Sequence, residues 1–200
     1  MKKNSQSMRY RNMQEVFNPK TWKAGKEDLL LAGKKDLMEE VNNLESSLVI
    51  DAGCGHNVFK GKIKNLIGFD ISNFPNADFV SSIQDAEFEN ESADVVLALG
   101  SVQFGNKTDV YEDVAKLVSW VKPGGYIVMR ARMDQNFLPL DKRNSPRKSF
   151  QYFWSEDDIN FLSEKHNLSI VKGPRVKESP AGKENEFRCH RLFWWWSKNV

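Results

Sequence analysis

Cysteine is scarce in this 200-residue chain, with only Cys54 and Cys189 present. Neither belongs to a CxxC pair or lies in a histidine cluster, so the sequence offers no zinc pattern. Cys54 stands between two glycines, where a disulfide would tether a loop that needs freedom to fit a ligand. Reduced thiols in a cytoplasmic protein are the expectation. No apolar run approaches the roughly 18 residues of a membrane span. The basic N-terminus, MKKNSQSMRYRNM, has no apolar stretch behind it of the kind a secretory signal carries. The net charge of +2 is too small to imply a nucleic-acid partner by itself. Internal repeats and low-complexity linkers are missing as well.

What is present suits one soluble domain: 40% hydrophobic and 28% charged residues, in a chain long enough to bury roughly 70% of its unfolded surface. Between Lys26 and Leu44, Leu29, Leu30, Leu37, Met38, Val41 and Leu44 recur at helical intervals. Apolar runs then read as strands at LVIDAG, LIGFD, ADFVSS, ADVVLALG and YIVMRAR. A helix is predicted over residues 108–121, stopped by Lys122-Pro123-Gly124-Gly125. Ser155 to His166 begins with an N-cap serine and acids and ends in Lys-His, the order a helix dipole favours. LSIVKG and FRCHRLFWWW follow with no helix between them, as in an antiparallel hairpin. The alternation predicts an α/β sheet of seven strands, mostly parallel with one antiparallel strand, and helices on both faces. Ligands of such sheets bind at the carboxyl ends of the strands.

The stretch VIDAGCGHNVFK ends the first of those strands. A dinucleotide fingerprint needs a third glycine where this chain has Val58, and no Gly-Lys-Ser/Thr of a phosphate loop is present. Asp51-Ala52-Gly53-Cys54-Gly55-His56-Asn57 resembles motif I of the class I S-adenosylmethionine-dependent methyltransferases, whose fold is Rossmann-like. The resemblance extends through Gly68-Phe69-Asp70-Ile71, Gln84-Asp85-Ala86-Glu87, Ala93 to Ala98 and Val121 to Tyr126.

The resemblance implies S-adenosyl-L-methionine as cofactor and methyl transfer as activity. It places Asp51 at the methionyl ammonium, and Gly53, Cys54, Gly55 and Asn57 in the loop that passes close to the ligand. It gives Asp70, followed by Ile71, the ribose hydroxyls, and gives Asp85 and the Ala86 backbone the adenine amine. Leu99, Gly100 and Ser101 would line the sulfonium side. Asp70 lies 17 residues after Gly53, near the roughly 20 expected of an acid ending a second strand. His56 either points toward the substrate or faces solvent from a short loop. Residues 1–45 read as an N-terminal helical cap, with Trp22 in it, and residues 46–200 as the methyltransferase domain. Only ten residues separate Gly55 from Leu66, so the first helix of the family has no room to form fully.

No catalytic residue is assigned, and no metal is expected. An in-line displacement is driven largely by positioning and exclusion of water. The Asn/Asp-Pro-Pro-Tyr/Phe motif is missing after the fourth strand and the Pro-Cys nucleophile is absent, which disfavours base methylation by those routes. The nearest resemblance, to single-domain enzymes acting on small molecules, implies a small-molecule acceptor; a nucleic-acid or protein acceptor, or a non-catalytic binding or structural protein of the same fold, are the alternatives. From Arg130 to Phe150, six basic residues face Asp134 and Asp141 alone. That excess suits an anionic substrate, a nucleic acid, or simply a solvated loop.

Overall fold

The computed structural model describes residues 2–20, 34–133, 151–178 and 190–200. Its elements in chain order are α1 (Lys2–Val16), α2 (Lys34–Asn43), β1 (Val49–Ala52), β2 (Leu66–Asp70), β3 (Phe79–Val80), β4 (Ala93–Leu99), α3 (Lys107–Trp120), β5 (Val121–Arg132), α4 (Glu156–Lys165), β6 (Leu168–Glu178) and β7 (His190–Lys198). Seven strands form one sheet in the order β3-β2-β1-β4-β5-β7-β6. The first five pair in parallel, while β7 runs antiparallel to both β5 and β6.

Strands buried on both faces need helices or loops against each, and the side chains divide accordingly. On one face Ile50, Val96, Ile127, Met129 and Trp194 pack with Val110, Val114 and Leu117 of α3 and Ile159 and Leu162 of α4. On the other, Val49, Val95, Leu97, Val128 and Trp195 meet Leu37 and Val41 of α2. The loop residues Phe59 and Ile63 complete that second layer, filling the place of the helix for which ten residues are too few. The aromatic run is core: Trp194, Trp195 and Trp196 are buried, and the Trp154 indole donates to the Val102 carbonyl at 2.9 Å.

Capping fixes the helices that carry the carboxyl edge. Asn106 and Asp109 form a reciprocal capping box on α3, as Ser155 and Asp158 do on α4. Burial alone would raise the Asp158 carboxyl, but hydrogen bonds from Tyr111, Ser155 and Tyr152 hold it at about 2. Those two tyrosine hydroxyls each lie 2.7 Å from Asp158 Oδ1 and so tie the segment before α4 to α3.

Three expectations need adjusting. The described part of the predicted 26–44 helix is α2, and Trp22 lies outside the described residues. The Lys122-Pro123-Gly124-Gly125 stop does end α3, yet β5 already begins at Val121. The register with β4 slips there between Ala93 and Val95, with Gly124 at a φ of 79°. The third strand shrinks to Phe79–Val80, an exposed edge. Among the described residues, no helix is long and apolar enough to cross a membrane.

Candidate functional site

A cavity of about 240 Å³ opens at the carboxyl ends of β1, β2, β4 and β5. Nine residues proposed from the sequence line it: Asp51, Gly53, Cys54, Gly55, Asp70, Ile71, Leu99, Gly100 and Ser101. His56 joins them, its ring edge-on to Phe74 at 4.9 Å. Asn57, Asp85 and Ala86 are not among the lining residues.

The geometry explains the glycine loop in two ways. Gly53 has a φ of +78°, and a Cβ there would lie 2.3 Å from the Ser101 Cβ. Its smallness therefore brings the loops after β1 and β4 together, with the Ser101 hydroxyl donating to the Ala52 carbonyl. The amides of Gly53 and Cys54 both donate to the Phe69 carbonyl at 2.9 Å, and the Gly55 amide donates to Asp70 Oδ2 at 2.9 Å. Gly53→Ala should destabilise the fold by about 2–4 kcal/mol from backbone strain and overlap. A thermal melt checks this, and an unchanged midpoint would refute the close-approach role.

Asn57 supports the loop from below. It adopts a φ of 46°, is buried, and donates from Nδ2 to the Asn76 carbonyl at 2.9 Å. A Cβ on Gly68 would lie 2.5 Å from that nitrogen, so Gly68 of β2 makes room for Asn57. Asp85 is exposed and accepts from the Ser82 hydroxyl at 2.6 Å, closing a turn that puts Ser81, Ser82 and Ile83 at the cavity wall.

Two carboxylates dominate the electrostatics. Asp51 is 3% exposed, and burial, with neighbouring Asp70, pushes its carboxyl up to about 7 while Arg130 pulls it back. Burial also raises Asp70, against amide hydrogen bonds from Ser72 and Gly55 that favour its charged form. Each Asp70 oxygen takes one such amide, Oδ1 from Ser72 at 3.0 Å and Oδ2 from Gly55. A carboxylate oxygen has two lone pairs, so each retains acceptor capacity toward the cavity. Burial and the nearby aspartates push the Cys54 thiol well above its ordinary range, which makes it a packing group rather than a nucleophile.

Other lining residues had no signal in the glycine motif. Arg9, Tyr10 and Met13 of α1, with Phe17 just after it, line the same cavity. Arg9 forms a buried ion pair with Asp113 of α3, and Gln84 donates to that carboxylate at 2.9 Å. Gln14 donates to the Ile71 carbonyl at 3.0 Å, and Phe17 meets Phe104 edge-on at 5.0 Å. The one sequence cue was Asp113 itself, an acid on the apolar stripe of Val110, Val114 and Leu117. Gln103, Gln151 and three arginines (Arg130, Arg132 and Arg191) complete the far wall. The basic stretch beyond Met133, through Phe150, lies outside the described residues. Among those described, no three His, Cys, Asp or Glu residues group as a metal site.

Solved structures share this arrangement of strands. An N1-methyltransferase for 1,6-didemethyltoxoflavin from Burkholderia thailandensis, crystallised with S-adenosylhomocysteine, superposes with a TM-score of 0.63 at 13% identity, over 98% of this chain and 87% of that one. The N-methyltransferase NodS of Bradyrhizobium japonicum, also with S-adenosylhomocysteine, gives 0.62 at 14% identity over 96% and 98%. The fold is that of the class I methyltransferases. The cyclase SpnF superposes as well, with a TM-score of 0.60 at 12% identity over 82% of this chain and 79% of that one, so this fold also serves other chemistry. No family model matches the sequence of this class I fold, and no curated protein matches it.

Proposed function

We propose that the chain is a cytoplasmic S-adenosylmethionine-dependent methyltransferase acting on a small molecule. The observation that carries this reading is the convergence of Asp51, Asp70 and the Gly53–Gly55 loop on one cavity. The residues fit that cofactor's groups. A buried carboxyl held near neutrality gains most from a cation, which the methionyl ammonium supplies. Asp70 meets a ribose diol with the acceptor capacity its oxygens retain, and Gly53 to Gly55 leave room for the nucleoside between them. When bound, the cofactor supplies an electrophilic methyl on a sulfonium. The protein positions the acceptor against it and excludes water, which is enough for an in-line displacement. Asp85 stands on the Ser82 turn at the cavity wall, and its role at the adenine is part of this reading.

The roof of α1 supports a small acceptor over a duplex or a protein segment. Of the N-terminal segment 1–45, α1 acts as the cap, docked by the Arg9–Asp113 pair, whereas α2 packs on the sheet. Removing one member of a buried ion pair leaves the other uncompensated, so Arg9→Ala should release α1 rather than unfold the sheet. The expected result is about tenfold weaker S-adenosylhomocysteine binding, with the sheet still folded by circular dichroism and a lowered melting midpoint. Unchanged affinity would remove the cap from the account. Incubation with methyl-labelled cofactor and separate extracts of metabolites, RNA and protein tests the activity. Label should enter the low-mass fraction; label confined to RNA or protein would overturn the small-molecule acceptor.

A further inference from the structure

Two glutamines on the far wall are held by the same arginine, and their partners fix which end of each faces it. Gln103 follows β4, Gln151 precedes α4, and both line the cavity. Gln103 Oε1 accepts from the Arg132 amide at 2.9 Å, and Gln151 Oε1 accepts from Arg132 Nη1 at 2.6 Å. A peptide N–H and a guanidinium can only donate, so the carbonyl end of each carboxamide must face Arg132. Each Nε2 is therefore turned away, with two N–H donors to place.

Backbone bonds hold both glutamines in place. The Tyr152 amide donates to the Gln103 carbonyl and the Trp154 amide to the Arg132 carbonyl, each at 2.8 Å. Phe104 and Gln151 form an antiparallel bridge between the same segments. Among the described residues no group accepts from either Nε2, and neither nitrogen is sealed inside the protein as the Arg132 Nε is. Gln103 is 8% exposed and lines the cavity, so the acceptor its Nε2 lacks can come from a ligand there. The pair also stands away from the nucleoside end. At about 4.8 Å per strand, β5 with Arg132 lies about 14 Å from β2, which ends in Asp70. β4, ending at Leu99, comes between them, so the glutamines face the acceptor half.

Resting on the methyltransferase reading, we propose that Gln103 and Gln151 form a donor pair that reads a carbonyl oxygen of the methyl acceptor, as in an amide, lactam or ketone. Such an oxygen has two lone pairs, one for each carboxamide. Carboxamides are uncharged and grip a neutral carbonyl without the desolvation that an ion would cost. A ligand with no acceptor atom at that place leaves both donors unpaired and is rejected on that ground.

Nuclear magnetic resonance titration of the protein saturated with S-adenosylhomocysteine tests this with three rings of like size: benzamide, benzoate and aniline. Benzamide should bind about tenfold or more above aniline, and above benzoate. Glutamate is the informative substitution, because a carboxylate still accepts from Arg132 and loses only the Nε2 donors. Gln103→Glu and Gln151→Glu should each weaken benzamide binding about tenfold with the melting midpoint kept. If Gln103→Glu fails to fold, Gln151→Glu at the half-buried position carries the test. The proposal falls if benzamide binds no better than aniline, or if the folded variants bind benzamide as the wild type does. Benzoate binding tighter than benzamide and displacing it would overturn the neutral carbonyl. An equal loss of S-adenosylhomocysteine affinity in the variants would assign the pair to the cofactor and sink the proposal. Failure of the wild type to bind S-adenosylhomocysteine instead strikes the methyltransferase reading. Titrating benzamide into the unliganded protein and its variants then decides the donor pair on its own.

Discussion

Asp70→Ala is expected to weaken S-adenosylhomocysteine binding by about 100-fold or more while the protein stays folded. Hydrogen bonds to a charged acceptor contribute about 1.5–3 kcal/mol each, and the ribose diol would lose two of them. The substitution also strips the partner from the Gly55 and Ser72 amides, so some stability is lost with it. Two measurements keep these effects apart. Circular dichroism reports the fold, and calorimetry against 5′-methylthioadenosine reports the nucleoside half alone. An equal loss for both ligands places the defect at the ribose. An affinity within about threefold of wild type would refute the role of Asp70.

Binding should also depend steeply on pH because of Asp51. Its carboxyl holds a proton up to about 7 in the unliganded protein, and only the ionised form pairs with an ammonium. Affinity for S-adenosylhomocysteine should therefore fall about tenfold per pH unit below 7, reaching about 100-fold at pH 5. In Asp51→Asn the affinity should be weak and flat across the same range. A steep profile surviving in the variant would assign the proton to another group.

Stability of the unliganded protein runs the other way. The folded state holds the Asp51 proton to about 7, whereas the unfolded chain releases it near 3.8. The folded state thus binds more protons across that window, and the Asp51 contribution to stability is lost as pH rises from about 4 to 7. Asp94 and Asp158, both held at about 2, act only below about pH 4, where their contribution is lost as pH falls. His166, which burial lowers, opposes Asp51 below about pH 6.5. The difference between wild type and Asp51→Asn isolates the carboxyl. Bound ligand should remove the loss.

The parts of this site that were legible in the sequence are those written in local order. A strand buried on both faces is an apolar run, and a tight turn after it needs glycine or an acid. Hence β1, β2, β4 and β5, with the cavity-lining Asp51, Gly53, Asp70 and Leu99 at their ends, could be read directly. Other parts depend on relations between distant segments. Arg191 reaches Arg132 only through the antiparallel register of β5 and β7, which no local pattern encodes. The helix α1 brings Tyr10 and Met13 to the cavity among polar neighbours, with Phe17 just beyond its end, and its anchor is an ion pair 104 residues away in sequence. Asn57 illustrates a third case. Motif likeness put it beside the ligand, while its side chain turns beneath the loop to the Asn76 carbonyl.

The central claim is that this cavity takes an adenosyl-sulfonium nucleoside. Calorimetry of the folded wild-type protein with S-adenosylhomocysteine at pH 7.5 tests it most directly. One site per chain is expected, with a Kd on the order of 10 μM and a raised melting midpoint. A folded protein giving neither heat nor a melting shift at millimolar ligand would contradict it.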